Sequence, residues 1–474
     1  MKIRLALNLA RRGFTYVSVV IAAVLIGLIL STFLKLVASQ NQMTMRSQAW
    51  NRNIAVVEAG IEEALAHLNK NGAWDWQTFT YTGNLLVDGW SAAVGGGWTK
   101  TAYIGEDYYV VTISPFAPGT NCPNVTADGY VKQLGTFALG KWVSRPFLAA
   151  LGGNEGATYV KRTVSCTTTN VPLFSKALVA KQTIDLNGNN VRTDSYDSMI
   201  PAYNTNGRWD INKARDRGDI ATNNSLTNSV DIGNANVRGS VSTGPNAANP
   251  GHASMKIGSQ GKVGDATWQN DNSKSGVQAG KDRDDMNVYF PDVILPFTAG
   301  LPPSTPAGGF TWTNGVKYGT VLGNATYVAS SLSGKILVRG PAKLLVTGSF
   351  SLTGQEMIQI APGASLTMYM DGASASFGGN GVANGDGKPG SFYYFGTRNN
   401  TSLTLSGNGE FTGAIYAPSA NVSGNGGGNS SEDFSGAAII RSLSFNGHYS
   451  FHYDEALGRK GIYSGFTLTS WNEL

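Results

Sequence analysis

The chain opens with a change from basic to apolar residues that predicts a membrane-spanning helix. Residues 1–13 carry four Lys or Arg and no acidic residue, and residues 14–34 follow as 21 positions without a charge. At 1.5 Å per residue such a helix is roughly 31 Å long, which matches the hydrocarbon core of a bilayer. Because positive charge precedes the span, we expect a cytoplasmic amino terminus and an exported remainder.

The helical pattern continues beyond this span. Residues 39–68 contain no proline and a single glycine, Gly60. Apolar side chains recur there at helical spacing and form one stripe, made of Ile54, Val57, Ile61, Leu65 and Leu68. We therefore predict one helix from residue 14 to about residue 70, with its first half in the membrane and its second half exported.

Residues 71–171 predict a small α+β region. Clusters of aromatic and β-branched residues at 108–113 and 160–166 are bounded by Gly, Pro or Asn, which is typical of short strands. A small antiparallel sheet packed on the exported half of the helix would cover the apolar stripe.

From residue 172 the chain consists of short apolar segments separated by Asn-Gly, Gly-Asn and Gly-Ser turns, and it repeats itself. Residues 411–424 align without gaps on residues 434–447, an offset of 23, and residues 174–188 form a weaker copy that is one residue longer. A period near 20 residues with two strands and a turn suits one coil of a β-solenoid. We predict a right-handed parallel β-helix over residues 172–457, with a β-sandwich as the alternative.

Two segments depart from the repeat. Residues 270–320 contain a proline-rich run and are expected to form a loop excursion along the side of the solenoid, because proline cannot donate to interior ladders. Residues 458–474 are expected to form a C-terminal tail. The predicted fold class is mostly β with one long N-terminal α-helix, a small antiparallel sheet and the β-helix.

Composition agrees with a β-rich chain and excludes one class of partner. Of 474 residues 60 are glycine, and charged residues make up 14%, well below the roughly 25% of an average globular protein. Glycine suits tight turns because it tolerates positive φ. The formal net charge of +5 is small for this length and includes no basic block, so we expect no nucleic-acid partner.

The chain contains two cysteines, Cys122 and Cys166. In an exported, oxidising environment a single disulfide between them is the favoured interpretation, and it would stabilise the fold by about 3 to 4 kcal/mol on the chain-entropy model. The alternative is two small buried side chains.

The junction between the basic leader and the apolar run resembles the type III signal of type IV pilins and pseudopilins. The segment reads Arg11-Arg12-Gly13-Phe14-Thr15, with the glycine directly before the span. The resemblance implies that a prepilin peptidase cuts after Gly13 and that Phe14 becomes the N-methylated first residue.

Further residues resemble the PilX-type minor pilins. The helix end at 57–68 looks like the end of the PilX-type helix, and residues 451–457, FHYDEAL, resemble a sequence that closes β-helical domains appended to such proteins. Major pilins carry Glu at the fifth mature position, where this chain has Ser18. The resemblance therefore implies a minor, tip-located or priming subunit.

The sequence carries only weak signals for a catalytic or a metal-binding site. Asp282, Asp284 and Asp285 have basic neighbours and suit a solvated loop. In a strand His448 and His452 would share a face with Asp454, but a metal would need a further ligand from another coil. Residues 384–390 lack the acidic residues of an EF-hand loop. We expect no catalytic residue, no bound metal and no cofactor, and therefore no enzyme.

The sequence thus predicts a minor pilin or pseudopilin of a type IV pilus or a related secretion filament. Its β-helical domain would serve adhesion or spacing at the filament tip. Before assembly the chain would be a single-pass protein of the inner membrane with its C-terminus exported, and afterwards it would be found in the pilus, the periplasm or at the cell surface. Expected partners are prepilin peptidase, other pilins, the inner membrane and surface glycans. The alternative is a membrane-anchored β-helical protein that binds or modifies carbohydrate. Four aromatic residues could stack on sugars or belong to the core: Trp312, Tyr393, Tyr394 and Tyr416.

Overall fold

The fold is described from a computed structural model of the chain. It describes residues 3–69, 74–75, 80–81, 85–116, 122–133, 159–188, 191–245, 254–305, 310–312, 315–407, 409–426 and 433–474. The chain divides into two units. The first unit comprises residues 1–74, 81–170 and 465–474, and the second comprises residues 75–80 and 171–464.

Short strands follow the single long helix. In chain order, the elements up to residue 172 are α1 (Ile3–Leu68), β1 (Trp74–Asp75), β2 (Thr80–Tyr81), a 3-10 turn (Leu85–Asp88), β3 (Ser91–Ala92), β4 (Trp98–Ile104), β5 (Asp107–Ile113), β6 (Asn124–Lys132) and β7 (Tyr159–Pro172). They continue with β8 (Leu178–Ala180), β9 (Ile184–Asp185), β10 (Arg192–Tyr196), 3-10 turns at Pro201–Tyr203 and Ile211–Lys213, β11 (Ile220–Thr222), β12 (Val230–Gly233), β13 (Asn236–Arg238), β14 (Val241–Ser242), β15 (Met255–Ile257), β16 (Lys262–Gly264), α2 (Ala266–Asn270), β17 (Gly276–Val277) and β18 (Asp282–Arg283).

The remaining elements begin at residue 310. They are β19 (Phe310–Trp312), β20 (Val316–Tyr318), β21 (Thr320–Leu322), β22 (Thr326–Ala329), β23 (Lys335–Val338), β24 (Pro341–Val346), β25 (Phe350–Leu352), β26 (Met357–Ile360), β27 (Ser365–Met370), β28 (Ser374–Phe377), β29 (Val382–Asn384), a 3-10 turn (Pro389–Ser391), β30 (Phe392–Gly396), β31 (Ser402–Gly407), β32 (Phe411–Gly426), β33 (Phe434–Gly447), β34 (Ser450–Asp454), α3 (Leu457–Lys460) and β35 (Tyr463–Glu473).

The first unit combines the long helix with a six-stranded sheet in the order β3-β4-β5-β6-β7-β35. The pairings from β3 to β7 are antiparallel. The buried face of α1 includes Val57, Ile61, Ala64 and Leu68, so the predicted stripe does face the sheet. The last ten residues, expected from sequence as part of a tail, instead belong to this unit, where β35 forms its sixth strand.

The second unit is built on one large sheet of 25 strands. Its strands pair in parallel, as in Ile336 pairing with Ile358 and Ile358 with Val382. Three consecutive strands make one repeat, because β23, β24 and β25 pair in turn with β26, β27 and β28. The repeat therefore has three strands and not the two strands predicted. The parallel register is the one that a β-helix requires. The right-handed sense of the predicted β-helix stays a prediction.

The ungapped alignment of residues 411–424 on 434–447 is right over its first half and wrong over its second. Phe411 pairs with Phe434 and Ala417 with Ile440, an offset of 23, but the register then shifts and Gly426 pairs with Gly447. The shift falls between Ala417 and Asn421, a stretch that begins with Pro418, which has no N–H to donate to the ladder. The copy at 174–188 is confirmed, since Leu178 pairs with Ala438 and Ile184 with Leu443.

The repeats do not stack in chain order. Strand β8 pairs with both β33 and β11, β9 with β33 and β12, and β10 with β34 and β13. The first repeat of the unit thus lies between the last repeat and the second one. We call the pairing of β8, β9 and β10 with β33 and β34 the seam. The sequence 451–457, expected to close the domain, lies at this seam inside the stack.

From the seam the chain builds outward in one direction as far as β17 and β18. It then passes along the side of the other repeats. Tyr416 donates a hydrogen bond to the carbonyl of Pro291 (2.8 Å), Val293 bridges to Thr397, and Leu301 bridges to Tyr327. The chain re-enters the sheet at β21 and stacks back toward the seam. Since β17 and β18 belong to the sheet, this excursion is shorter than the predicted 270–320.

The core of the second unit contains a column of stacked phenylalanines, Phe411, Phe434 and Phe451, which pair in register in successive repeats, and Phe377 of β28 packs edge-on against the end of this column. The ring centroids of Phe377 and Phe411 are 5.2 Å apart, those of Phe411 and Phe434 4.9 Å, and those of Phe434 and Phe451 4.3 Å. Aromatic pairs at such distances add about 0.5 to 1.5 kcal/mol each beyond burial. The column therefore ties successive repeats together up to the seam.

Candidate functional site

The first candidate site is the surface of the amino-terminal half of α1. Every Val, Ile, Leu and Phe side chain between residues 17 and 36 is more than half exposed. These side chains surround the helix rather than forming one stripe. Within the described chain this is the one helix long and apolar enough to cross a membrane.

The predicted processing residues lie on this helix. Gly13 and Phe14 fall within the backbone of α1, and their side chains are outside the described residues. The hydroxyl of Ser18 donates a hydrogen bond to the carbonyl oxygen of Thr15 (2.9 Å). Ser18 therefore brings no charge to the fifth position after Gly13. Cleavage after Gly13 stays a prediction from sequence.

The carboxyl-terminal half of α1 is held on the sheet by polar contacts in addition to apolar ones. Asn53 is fully buried and its amide nitrogen donates to the carbonyl oxygens of Gly129 (3.0 Å) and Val160 (2.7 Å). A Cβ atom at Gly129 would overlap the Asn53 side chain, and one at Gly60 would lie 2.9 Å from the ring of Tyr109. Two glycines thus permit close approach between helix and sheet.

A charged contact fixes the next turn of the helix. Glu63 accepts hydrogen bonds from Lys100 (2.8 Å) and from the hydroxyl of Tyr109 (2.6 Å). Burial alone would raise the pKa of Glu63, but these two hydrogen bonds outweigh it and hold the pKa below its usual value. One turn further on, His67 accepts a hydrogen bond from the indole of Trp90 (3.0 Å).

The two cysteines are separate thiols in the structure. The antiparallel register of β6 and β7 places Cys166 opposite Val125, three residues beyond Cys122. Burial raises the pKa of the Cys166 thiol. The structure thus contains no bridge between them, and the disulfide stays a prediction from sequence.

The second candidate site is a buried polar cluster at the seam. The imidazole of His452 contacts a carboxylate oxygen of Asp194, and neither side chain is exposed. The indole of Trp209 stacks on His452 with ring centroids 3.8 Å apart, and the guanidinium of Arg192 lies 5.0 Å from the Trp209 ring. Asp194 comes from the first repeat and His452 from the last, so this contact spans the seam.

Three more buried carboxylates extend the cluster. Glu455 accepts a hydrogen bond from Ser195 (2.9 Å) and pairs with Arg215 (2.9 Å) and Arg217 (3.5 Å). Asp197 pairs with Arg459, and Asp454 accepts from the backbone and hydroxyl of Ser198. Breaking a buried pair costs about 3 to 5 kcal/mol, because it leaves a charge without compensation.

The pKa of Asp454 is displaced from its ordinary value. Burial raises the pKa from 3.8 to about 6, and the negative charge of Asp197 adds to the rise. Hydrogen bonds from Ser198 and Ala456 act in the opposite direction. Ionised Asp454 is thus costly to the folded seam near neutral pH.

The cluster does not assemble a hydrolytic triad. Ser195 donates its hydroxyl to Glu455 rather than to His452, and the imidazole is covered by Trp209. Among the described residues, no three His, Cys, Asp or Glu side chains are placed to share a metal ion. The contacts of the buried polar cluster link the first repeat to the last, so the cluster holds the two repeats together.

The other residues singled out from sequence lie apart. His448 is exposed whereas His452 is buried, because a turn precedes β34 and ends the strand alternation that would have put them on one face. Asp282 lies in β18 at one end of the stack, and Asp284 and Asp285 follow it. In the loop 384–390, Asp386 accepts from the backbone of Lys388.

The expected sugar-stacking aromatics are mostly core residues. Tyr394 and Tyr416 are buried, and Tyr393 is half-buried, while the side chain of Trp312 is outside the described residues. Sequence reasoning also missed Arg192, Asp194 and Trp209. A signal was present in residues 208–219, where charged residues crowd together in a chain that is otherwise poor in charge.

One family of known proteins matches part of the second unit. The profile of a domain of unknown function, DUF7305, matches residues 317–460, which run from β20 to α3 and cover less than a third of the chain. No curated protein is significantly similar to the chain.

Two solved structures align with the chain at low similarity. The competence-associated pilin ComZ from Thermus thermophilus aligns at 11% identity and a TM-score of 0.25, covering 81% of this chain and 86% of that one. The DUF3494 domain of ice-binding protein 1 from Shewanella frigidimarina aligns at 12% identity and a TM-score of 0.22, covering 60% of this chain and 99% of that one. TM-scores this low do not establish a shared fold.

Proposed function

We propose that the chain is a minor pilin or pseudopilin of the PilX type, a subunit of a type IV pilus or a related secretion filament. The observation that carries the proposal is the division of α1. Its first half is apolar on all sides and unburied, and its second half packs on an antiparallel sheet. A basic leader ending in Gly13 precedes the apolar half.

The exposed apolar side chains need a non-aqueous environment. Full burial of a Val, Leu, Ile or Phe side chain is worth about 1.5 to 3 kcal/mol, so the row between residues 17 and 36 favours lipid or neighbouring helices strongly over water. Before assembly this environment is the inner membrane. After assembly it is the bundle of helices from other pilin subunits.

A minor position in the filament agrees with Ser18. Its hydroxyl is satisfied by the helix backbone and carries no charge, so it offers nothing to the amino terminus of a neighbouring subunit. A subunit at the tip or at initiation has less need of that pairing. We therefore place the chain at or near the filament tip.

The second unit is the exposed domain in this proposal. Its parallel repeats suit a right-handed β-helix, and we assign it a role in adhesion or spacing without catalysis. The buried position of the seam cluster supports a structural rather than an enzymatic use. The partners are prepilin peptidase, other pilins through α1 and, on the outside, surface glycans.

Intact-mass and amino-terminal analysis of the membrane-bound protein tests this function. We expect the wild type to begin at N-methylated Phe14 and Gly13→Ala to keep residues 1–13. Gly27→Ala is the matched control, because an added Cβ at Gly27 meets nothing within 4 Å and the residue lies away from the processing site. It should be processed as the wild type is.

If the wild type keeps residues 1–13, the filament proposal is wrong. The helix would then serve as a plain anchor, and a membrane-anchored carbohydrate-binding β-helical protein would replace it. If Gly27→Ala also fails to be processed, the defect lies in helix insertion rather than in the cleavage site.

A further inference from the structure

A polar cleft of about 580 Å³ opens on one face of the second unit. Strands β10, β13 and β16 contribute its floor, and α2 with the turn after β15 contributes its wall. The lining side chains are three cations and five amides: Arg192, Arg238, Lys262, Asn234, Asn236, Gln260, Gln269 and Asn270. The volume lies within the usual range of ligand sites, about 300 to 1,000 Å³.

The register of the sheet aligns part of this lining. Arg192 pairs with Asn236, and Asn236 pairs with Lys262. Neighbouring strands lie about 4.8 Å apart, so these three side chains form a column across the cleft floor. Arg238 lies two residues after Asn236 on the same strand and therefore on the same face. Cations and amides thus alternate at short, regular spacing.

One cation of the cleft, Arg238, differs from other cations in the same unit. Arg208, Arg215, Arg459 and Lys256 each pair with a carboxylate. No carboxylate lines the cleft. Among the described residues, the guanidinium of Arg238 has neither an ion pair nor a hydrogen bond.

The other two cations, Lys262 and Arg192, are held by contacts within the protein but can still interact with a ligand. Lys262 donates to the carbonyl oxygens of Gln269 (2.7 Å) and Asp271 (3.1 Å), which leaves one of its three N–H donors. Arg192 rests on Trp209, is 23% exposed, and has one carboxylate of the seam cluster at 3.4 Å. The lining of the cleft therefore carries a net positive charge, and two of its three cations are held by contacts within the protein.

The side-chain amides of the cleft supply neutral hydrogen-bonding groups beside the cations. In the described part of the chain, the side chains of Asn236, Gln260 and Asn270 make no hydrogen bond to protein. An amide offers both a donor pair and an acceptor, which suits the vicinal hydroxyls of a sugar. Guanidinium and ammonium groups suit carboxylates, and Arg pairs with them in bidentate geometry.

We propose that this cleft binds an acidic polysaccharide through its sugar carboxylates and hydroxyls. The proposal deepens the adhesive role and rests on the proposed function for the place where the cleft is displayed. A nucleic acid is the less suitable polyanion, because single strands need aromatic platforms for base stacking. Trp209 is only 5% exposed and is already stacked on His452, and the described cleft lining contains no aromatic residue.

Titration calorimetry on the detergent-solubilised full chain tests the proposal. The probes are an oligogalacturonate, its fully methyl-esterified form and a single-stranded DNA of matched charge. We expect oligogalacturonate to bind, the ester to bind at least tenfold more weakly, and added salt to weaken binding. Arg238→Glu and the milder Arg238→Gln should each reduce affinity at least tenfold.

Lys343→Glu is the matched control, because it makes the same charge change at an exposed position of β24, outside the cleft. It should leave affinity unchanged, and thermal melts should verify that all variants are folded. Absence of oligogalacturonate binding at millimolar concentration would overturn the proposal. So would equal binding of the ester, equal losses in Lys343→Glu and Arg238→Glu, or DNA binding that is as tight and equally dependent on Arg238. None of these outcomes affects the cleavage test of the filament proposal.

Discussion

Single buried polar side chains decide how the long helix meets its sheet. Asn53 is a polar residue in the middle of an otherwise apolar helix–sheet contact, and its amide donates hydrogen bonds to two strand carbonyls. A leucine would fill the space but leave those carbonyls without their donor. The sequence shows Asn53 only as a break in an apolar stripe, since its partners lie 76 and 107 residues further along the chain.

Asn53→Ala should destabilise the first unit by about 2 kcal/mol, because it removes two hydrogen bonds and leaves a cavity. Asn51→Ala changes the same residue type on the exposed side of the same helix and should cost less than about 0.5 kcal/mol. Hydrogen exchange of β5 and β6 at increasing urea concentration measures both. Equal effects of the two variants would contradict the role given to Asn53.

Asp454 makes the stability of the second unit depend on pH. Its pKa is about 6 in the folded state against 3.8 ordinarily, so the folded state binds the proton more tightly. This group therefore adds stability as the pH falls from about 6 to about 4, by about 3 kcal/mol on linkage arithmetic. The sign is opposite to that of a carboxylate stabilised by a salt bridge.

Asp454→Asn should remove this dependence. We expect the variant to be more stable than the wild type at pH 7 and to lose the advantage by about pH 4, as measured by urea unfolding of the second unit. Asp292→Asn, which changes an exposed carboxylate, provides the comparison and should show no such trend. A constant difference between Asp454→Asn and wild type at all pH values would refute the assignment.

At the scale of elements, glycines set how closely successive repeats pair. Gly413 and Gly436 occupy equivalent positions in β32 and β33 and lie directly opposite each other. Gly436 has φ of +145°, and an added Cβ would overlap the carbonyl oxygen of Gly413. The two aligned copies begin with FTGA at residue 411 and FSGA at residue 434, and each therefore contains both the stacked phenylalanine and the glycine of this close approach.

Gly436→Ala should destabilise the second unit by at least about 2 kcal/mol, since it combines backbone strain with overlap. Gly319→Ala is the control, because an added Cβ there meets nothing within 4 Å and the residue has no positive φ. Thermal unfolding of both variants in one detergent gives the comparison. A Gly436→Ala protein as stable as wild type would show that the ladder can shift to accept the methyl group.

Elements with local signals could be predicted, and those defined by distant partners could not. The apolar span, the helix end and the strands at 108–113 and 160–166 follow from periodicity and composition. The three-strand repeat was missed because strands of two to four residues, such as β9 and β12, carry too few positions for a period to appear. Strand β35 was missed because its neighbour β7 lies about 300 residues earlier.

At the scale of the whole molecule, the seam joins parts of the sequence that are far apart. Asp194 and His452 are 258 residues apart, and no local pattern in either segment indicates the other. The resemblance of residues 451–457 to a closing sequence therefore suggested the end of the stack rather than its interior. Such long-range closure is also a slow step in folding, because the chain pays loop-closure entropy before the contact forms.

Weakening the seam at one residue should loosen two distant segments together. Glu455→Gln removes the charge that pairs with Arg215 and Arg217, and we expect residues 178–196 and 434–454 to exchange amide hydrogens faster by similar factors. Glu356→Gln is the control, because Glu356 accepts hydrogen bonds from Gly334 and Thr353 within its own region. Faster exchange confined to one of the two seam segments would contradict the shared seam.

The order of stacking also has a mechanical consequence. The chain enters and leaves the second unit side by side, since the N–H of Leu173 donates to the carbonyl of Ile462 (2.7 Å) and the hydroxyl of Ser464 to that of Val171 (3.2 Å). The segments on both sides of residues 171–464 belong to the first unit, so the stack of repeats is continuous with folded chain at both of its chain ends. A load applied to a bound ligand therefore reaches the repeats from both flanking segments and cannot peel them away one by one from a free end.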